Sequence, residues 1–222
     1  MLEKIHISFI SGSRGDFFSA LTYAGIYNIV PNGCKIYDNG AFKHNSRDFV
    51  NTSHKAIHKV INSPTHLISL DYISWQKYLK ECHTKEFKSD YQIGISHYIN
   101  FMYIHSWFRE MFVKSRPIII APKLCDANAI AVQAIEKNPI EYKKPLDKKI
   151  KETKLNISRL LDFKNDCPEL LYLDYQRMLY NVKDTFELMS DYKKIKISEN
   201  DSTKKLLDEY LTNNLKYDHY LK

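Results

Sequence analysis

The chain has only 6 glycines and 7 prolines in 222 residues. That leaves little room for a long flexible linker. No apolar run approaches the ~18 residues that a bilayer span requires. The first apolar stretch is short and follows an acid and a base, Glu3 and Lys4, so it reads as a first strand and not as a secretory signal. A soluble chain that stays in the cytoplasm is expected (the host cytoplasm if the source is viral), with no membrane partner. Cys34, Cys82, Cys125 and Cys167 lie far apart with no C-x-x-C pair, which excludes a metal ribbon or a dense disulfide scaffold. Walker A, G-x-G-x-x-G and nucleophile-elbow patterns are all missing, and so is any internal repeat.

What is present describes a folded domain. The composition is 44% apolar and 13% aromatic, which excludes disorder, and 222 residues suffice for one domain with a sizeable core. The net charge of +7 suits an anionic ligand. It suits nucleic acid too, although charge alone does not favour that partner. Oligomeric state is not readable.

Apolar runs and turn signals alternate along the chain. Residues 5–10 read as a strand, and Phe17, Phe18, Leu21, Ala24 and Ile26 recur at helical spacing up to Pro31-Asn32-Gly33. Residues 34–37 form a second short strand before the turn Asp38-Asn39-Gly40. A helix over 46–61, a buried strand over 66–70 and a helix around Trp75, capped by Asp71, follow. The aromatic segment 91–113 reads as a core helix, 118–121 as a strand or extended connector, and the lysine-rich segment 138–154 as a solvated loop or lid. A strand at 170–173 and helices at 176–189 and 202–221 complete the reading. Strands alternating with helices predict an α/β domain with a mostly parallel central sheet. Ligands of such sheets sit at the carboxyl ends of the strands.

Ser11-Gly12-Ser13-Arg14-Gly15-Asp16 is the segment richest in chemistry. Two glycines permit a tight turn whose N–H groups share a concavity, and the following helix adds its free N–H groups and the positive end of its dipole. Arg14 adds a charged planar fork for phosphate or sulfate oxygens, and Ser11, Ser13 and Ser19 offer hydroxyls. Asp16 puts a negative charge at the mouth. The same residues would also serve a plain strand-to-helix turn.

Ile10-Ser11-Gly12-Ser13-Arg14-Gly15-Asp16-Phe17-Phe18-Ser19-Ala20-Leu21 resembles the 5′-phosphosulfate-binding loop of sulfotransferases, especially divergent bacterial and phage forms. Leu171-Tyr172-Leu173-Asp174-Tyr175-Gln176-Arg177-Met178-Leu179 resembles a late strand and the segment after it in that family. The resemblance implies a three-layer P-loop-type sandwich with helices on both faces. It implies sulfuryl transfer from 3′-phosphoadenosine 5′-phosphosulfate to a hydroxyl or amine acceptor, with no metal. Gly12, Ser13, Arg14, Gly15, Asp16, Phe17 and Ser19 would hold the donor, and Arg14 would also act on the transferred group. The family's arginine and serine for the 3′-phosphate are not matched after residues 67–70, where Asp71 follows and the next arginine is Arg109.

His44 and His54 are the candidate bases for the acceptor's proton. His54 and His58 share a helical face but have no third ligand at zinc spacing, so no metal site is assigned. Two other readings remain open: a degenerate α/β binding or assembly protein of viral or phage type, and a P-loop-like nucleotide-binding phosphotransferase.

Overall fold

A computed structural model describes residues 3–10, 12–31, 34–38, 40–43, 91–96, 113, 116–137 and 145–218. Its centre is strand β1 (Glu3–Ser8), followed by helix α1 (Gly15–Tyr27). A hairpin of β2 (Lys35–Ile36) and β3 (Phe42–Lys43) comes next. Then follow β4 (Tyr91–Ser96), β5 (Ile118–Ala121) and a 3₁₀ turn (Leu124–Asp126). Helices α2 (Ala127–Lys137) and α3 (Leu146–Asp166) lead to strand β6 (Leu171–Asp174). Helices α4 (Arg177–Tyr180), α5 (Val182–Lys193) and α6 (Asp201–Asp218) close the chain.

The main sheet is parallel, in the order β4-β1-β5-β6. β1 pairs with β4 from Glu3↔Tyr91 to Ser8↔Ser96, and with β5 at Ile7↔Ile118 and Ser8↔Ile119. Successive strand residues point to opposite faces. Ile118, Ile119 and Ile120 are nonetheless all fully buried, so both faces of the sheet are covered at β5. An unbroken apolar run is the usual signature of such a strand. From the adjacent strands β1 and β5 the chain departs in opposite directions, towards β4 and β6. Their carboxyl ends therefore frame a topological switch point.

Three segments differ from the sequence reading; one is 176–189, read as a single helix, which breaks at the non-helical Asn181 (φ −134°, ψ 61°) into α4 and α5. Residues 91–96, read as the start of a core helix, form β4. Tyr91, Ile93 and Ile95 alternate with Gln92, Gly94 and Ser96, a period of two that the aromatic density downstream obscured. Residues 146–154, read as loop or lid, form the first half of α3. Its buried stripe is Lys149, Thr153, Ile157, Leu160 and Phe163; it opens on two polar residues, so a search for apolar anchors missed it. A lysine stem can line an apolar surface while its ammonium reaches outward. The short strand at 34–37 is present as β2, but it belongs to the separate hairpin and not to the main sheet. The helix at 46–61, the strand at 66–70 and the Trp75 helix lie outside the described residues.

No helix among the described residues is long and apolar enough to cross a membrane. Cys34, Cys125 and Cys167 are free thiols. α1 is anchored by Phe17, whose ring stacks on Tyr210 of α6 at 3.7 Å and meets Phe42 of the hairpin edge-on at 5.5 Å. At the other end Asn28 closes α1 in the left-handed region and donates its N–H to Ala24, an αL cap.

Two predictions follow from β1 and its exit. A Cβ at Gly15 would sit 2.0 Å from the Phe9 ring, so Gly15→Ala should destabilise by about 1–3 kcal/mol through overpacking. Chemical denaturation checks this, and trimming Phe9 in the same chain should make the two costs less than additive. Half-buried His6 has its pKa lowered from 6.5 to about 3, by burial first and then by the charge of Lys193. The unfolded chain therefore takes up a proton below about pH 6.5 that the folded chain refuses. Stability should be full above that pH and fall by up to about 2 kcal/mol between pH 7.5 and pH 5. Denaturation across that range should show a flatter profile in His6→Gln.

Candidate functional site

The β1–α1 turn is short and bent hard. Gly12 has φ +90°, and the left-handed Arg14 (φ 62°, ψ 14°) starts α1 without a side-chain cap. A non-glycine residue there is strained by roughly 1 kcal/mol or more, and such strain gathers at ligand sites. Gly12 is confined further, since a Cβ would lie 3.0 Å from the Ile130 carbonyl of α2. The Ser13 N–H and hydroxyl both donate to the Ile10 carbonyl, at 2.9 and 2.6 Å. The first helical bond runs from Phe18 N–H to the Arg14 carbonyl at 2.9 Å. The N–H groups of Gly15, Asp16 and Phe17 thus belong to a first turn that offers them no helical acceptor.

The Arg14 guanidinium does not extend into solvent. Arg14 is 6% exposed, and its guanidinium lies 5.2 Å from the ring centroid of Tyr175, itself fully buried just past β6. Such contacts are worth about 0.5–2 kcal/mol. Arg14 follows β1 and Tyr175 follows β6, and β5 lies between these two strands. The contact therefore spans the carboxyl edge of the sheet.

Two aspartates set the turns that hold Tyr175. Asp174, the last residue of β6, accepts the N–H groups of Gln176 at 2.9 Å and Arg177 at 3.0 Å. Its other oxygen meets the Lys123 ammonium at 3.1 Å. Burial by itself raises the Asp174 carboxyl, but the Arg177 N–H, the Lys123 ammonium and the Gln176 N–H together hold it below its ordinary value. The bond to Asp174 and its charge in turn raise Lys123 above the usual lysine value. Asp126, 2% exposed, accepts Lys123 N–H at 2.7 Å and the Gln176 amide at 2.6 Å. One buried carboxylate thereby ties the turn after β5 to the turn after β6.

Of the residues singled out from sequence, Gly12, Ser13, Arg14, Gly15, Asp16, Phe17 and Ser19 all lie in the β1–α1 turn or the first turns of α1. Their roles diverge. The Ser19 hydroxyl donates to the Gly15 carbonyl at 2.8 Å, and Phe17 is core. Ser11, His44, His54 and Arg109 lie outside the described residues. Sequence reasoning missed Lys123, Asp126, Tyr175 and Gln176 as site residues. The available signal was position, since each is polar or aromatic and sits just past the carboxyl end of a parallel strand. Among the described residues, no group of three or more His, Cys, Asp or Glu is arranged to hold a metal ion.

No protein-family model, curated protein or solved structure matches the chain.

Asp126→Ala should cost about 1–2 kcal/mol, because it removes two part-buried hydrogen bonds, from the Lys123 N–H and the Gln176 amide. Urea denaturation measures the loss. Gln176→Ala removes one of the same bonds, so the double variant should fall short of the sum.

Proposed function

We propose that the carboxyl edge of the sheet is the binding site of a sulfotransferase-like protein that takes 3′-phosphoadenosine 5′-phosphosulfate as sulfuryl donor. The observation that carries this is the Arg14–Tyr175 contact. It joins the two segments whose sequences resemble that family, at the switch point where open parallel sheets bind ligands. Because crossovers in such sheets are right-handed, the opposite departures from β1 and β5 favour helices on opposite faces, in a three-layer P-loop-type arrangement.

The residues present fit an anion in a specific way. With the Ser13 and Ser19 hydroxyl protons given to backbone carbonyls, the donor's 5′-phosphosulfate would rest on the first-turn N–H groups of α1, its dipole and Arg14. Transfer needs no metal in this scheme. The acceptor's hydroxyl or amine attacks sulfur, the bond from sulfur to the bridging phosphate oxygen breaks, and adenosine 3′,5′-bisphosphate departs with the electron pair. The acceptor's proton passes to a base, for which His44 and His54 stand as candidates, and positive charge stabilises the leaving phosphate. A second reading is a domain that keeps the fold for binding without transfer. It is favoured by the same inward commitment of both serine hydroxyls.

Thermal unfolding with adenosine 3′,5′-bisphosphate, without magnesium, tests the donor site. Ligand at about 100-fold its dissociation constant should add about 2.7 kcal/mol of stability, and Arg14→Ala should abolish the shift. A shift only with ATP and magnesium would replace this reading with a phosphotransferase. No shift with either ligand would leave the non-catalytic domain.

A further inference from the structure

Helix α2 follows β5 through the 3₁₀ turn and lies against the β1–α1 turn. A Cβ at Gly12 would meet the Ile130 carbonyl oxygen at 3.0 Å and the Ala134 Cβ at 3.2 Å. Ile130, Gln133 and Ala134 stand at i, i+3 and i+4, so they share one face of α2. The face pressed on the turn is therefore the one that carries Gln133. Its buried neighbours along the helix are Ala127, Ile130, Ala131 and Ala134, which makes Gln133 a polar residue on an apolar face.

Gln133 is 1% exposed, and neither its amide nitrogen nor its amide oxygen has a hydrogen-bond partner among the described residues. Buried amides are nearly always paired, and one left unpaired costs stability. A methionine of similar volume would fill the same space without that cost. Gln176 is the contrast: its amide nitrogen donates to Asp126 at 2.6 Å and so ties two turns together. Gln133 makes no such tie. Its donor and its acceptor sit side by side on one planar group. Phosphate and sulfate oxygens only accept, so they would leave Oε1 unmatched. A purine with a 6-amino group presents a donor beside a ring-nitrogen acceptor, and one amide meets both.

We propose that Gln133 is the specificity residue for the base of a bound nucleotide, its amide bonding the 6-amino group and the adjacent ring nitrogen of adenine. This rests on the reading of the carboxyl edge as a nucleotide site, with the 5′ group on α1 and the base towards α2. The amide is closed to water, so its bonds to the base meet little competition from solvent. Reaching it requires the atoms over it to part, so entry of the base is a conformational step.

Isothermal titration calorimetry on the full chain with two probes is the test. One is adenosine 3′,5′-bisphosphate; the other is the same bisphosphate of purine riboside, which lacks the 6-amino group. Wild type should bind the adenosine compound at least about tenfold more tightly. Gln133→Met should bind both at the weaker affinity, within about twofold of each other. Unliganded, this variant should melt about 2–4 °C above wild type, because it no longer buries an unpaired amide. Equal binding of the two probes by wild type, a result that needs no variant, would overturn the proposal and leave the nucleotide site standing. Retained preference in Gln133→Met would overturn it as well. So would a variant that melts below wild type, since the amide would then be holding the fold. Wild type that binds neither probe would overturn the nucleotide reading of the edge, and this proposal with it.

Discussion

Parallel strands cannot be joined by tight turns, so every strand of this sheet must hand its chain to a crossover that leaves from the carboxyl edge. β1 feels that constraint most, because it is paired on both sides and cannot yield sideways. Its exit has to turn between the β4 side and the β5 side within a few residues. Gly12, the left-handed Arg14 and the Phe9 ring pressed on Gly15 are the local consequences. The rest of the edge is arranged around that exit. The turn after β6 supplies Tyr175 to the Arg14 guanidinium, and the turn after β5 supplies Lys123 and Asp126 to hold the β6 turn in place.

Charge at this edge is divided by location. Lys123 and Arg177, both largely exposed, are matched to Asp174 and Asp184 at 3.1 and 3.2 Å. Arg14 is buried, with its guanidinium beside the Tyr175 ring. A buried guanidinium acts in a lower dielectric than a surface one, so its field on a nearby anion is less screened. Its rotamers are also restricted before any ligand arrives, which lowers the ordering cost of binding. α1 contributes in the same direction, since its uncapped first turn faces the same edge with its dipole.

Much of the fold was legible because several strands carry period-two or unbroken apolar runs. The strands read at 5–10, 118–121 and 170–173 lie at Glu3–Ser8, Ile118–Ala121 and Leu171–Asp174. The misreadings have physical causes. In 91–96 a short alternation was outweighed by aromatic residues further along, which belong to a different part of the chain. In 146–154 the buried face begins with Lys149 and Thr153, so apolar periodicity could not detect a helix whose first buried positions are polar. At the site, the loop residues were legible from glycine spacing. Tyr175, Asp126 and Lys123 were not, because each depends on which strand lies next to which, and strand order is not written in any local pattern.

The sequence by itself determined the strand at 5–10, the turn that follows it, the apolar runs at 118–121 and 170–173, and that Arg14 would stand at the head of the first helix. Those properties depend on neighbours within one or two turns of chain, which local sterics and periodicity control. Only the tertiary structure decided that Arg14 would be buried against Tyr175, that Asp126 would tie the turn after β5 to the turn after β6, and that Lys149 and Thr153 would open the buried stripe of α3. These outcomes depend on contacts between residues up to about 160 positions apart, where the energy of packing chooses among many arrangements that local preference leaves equal.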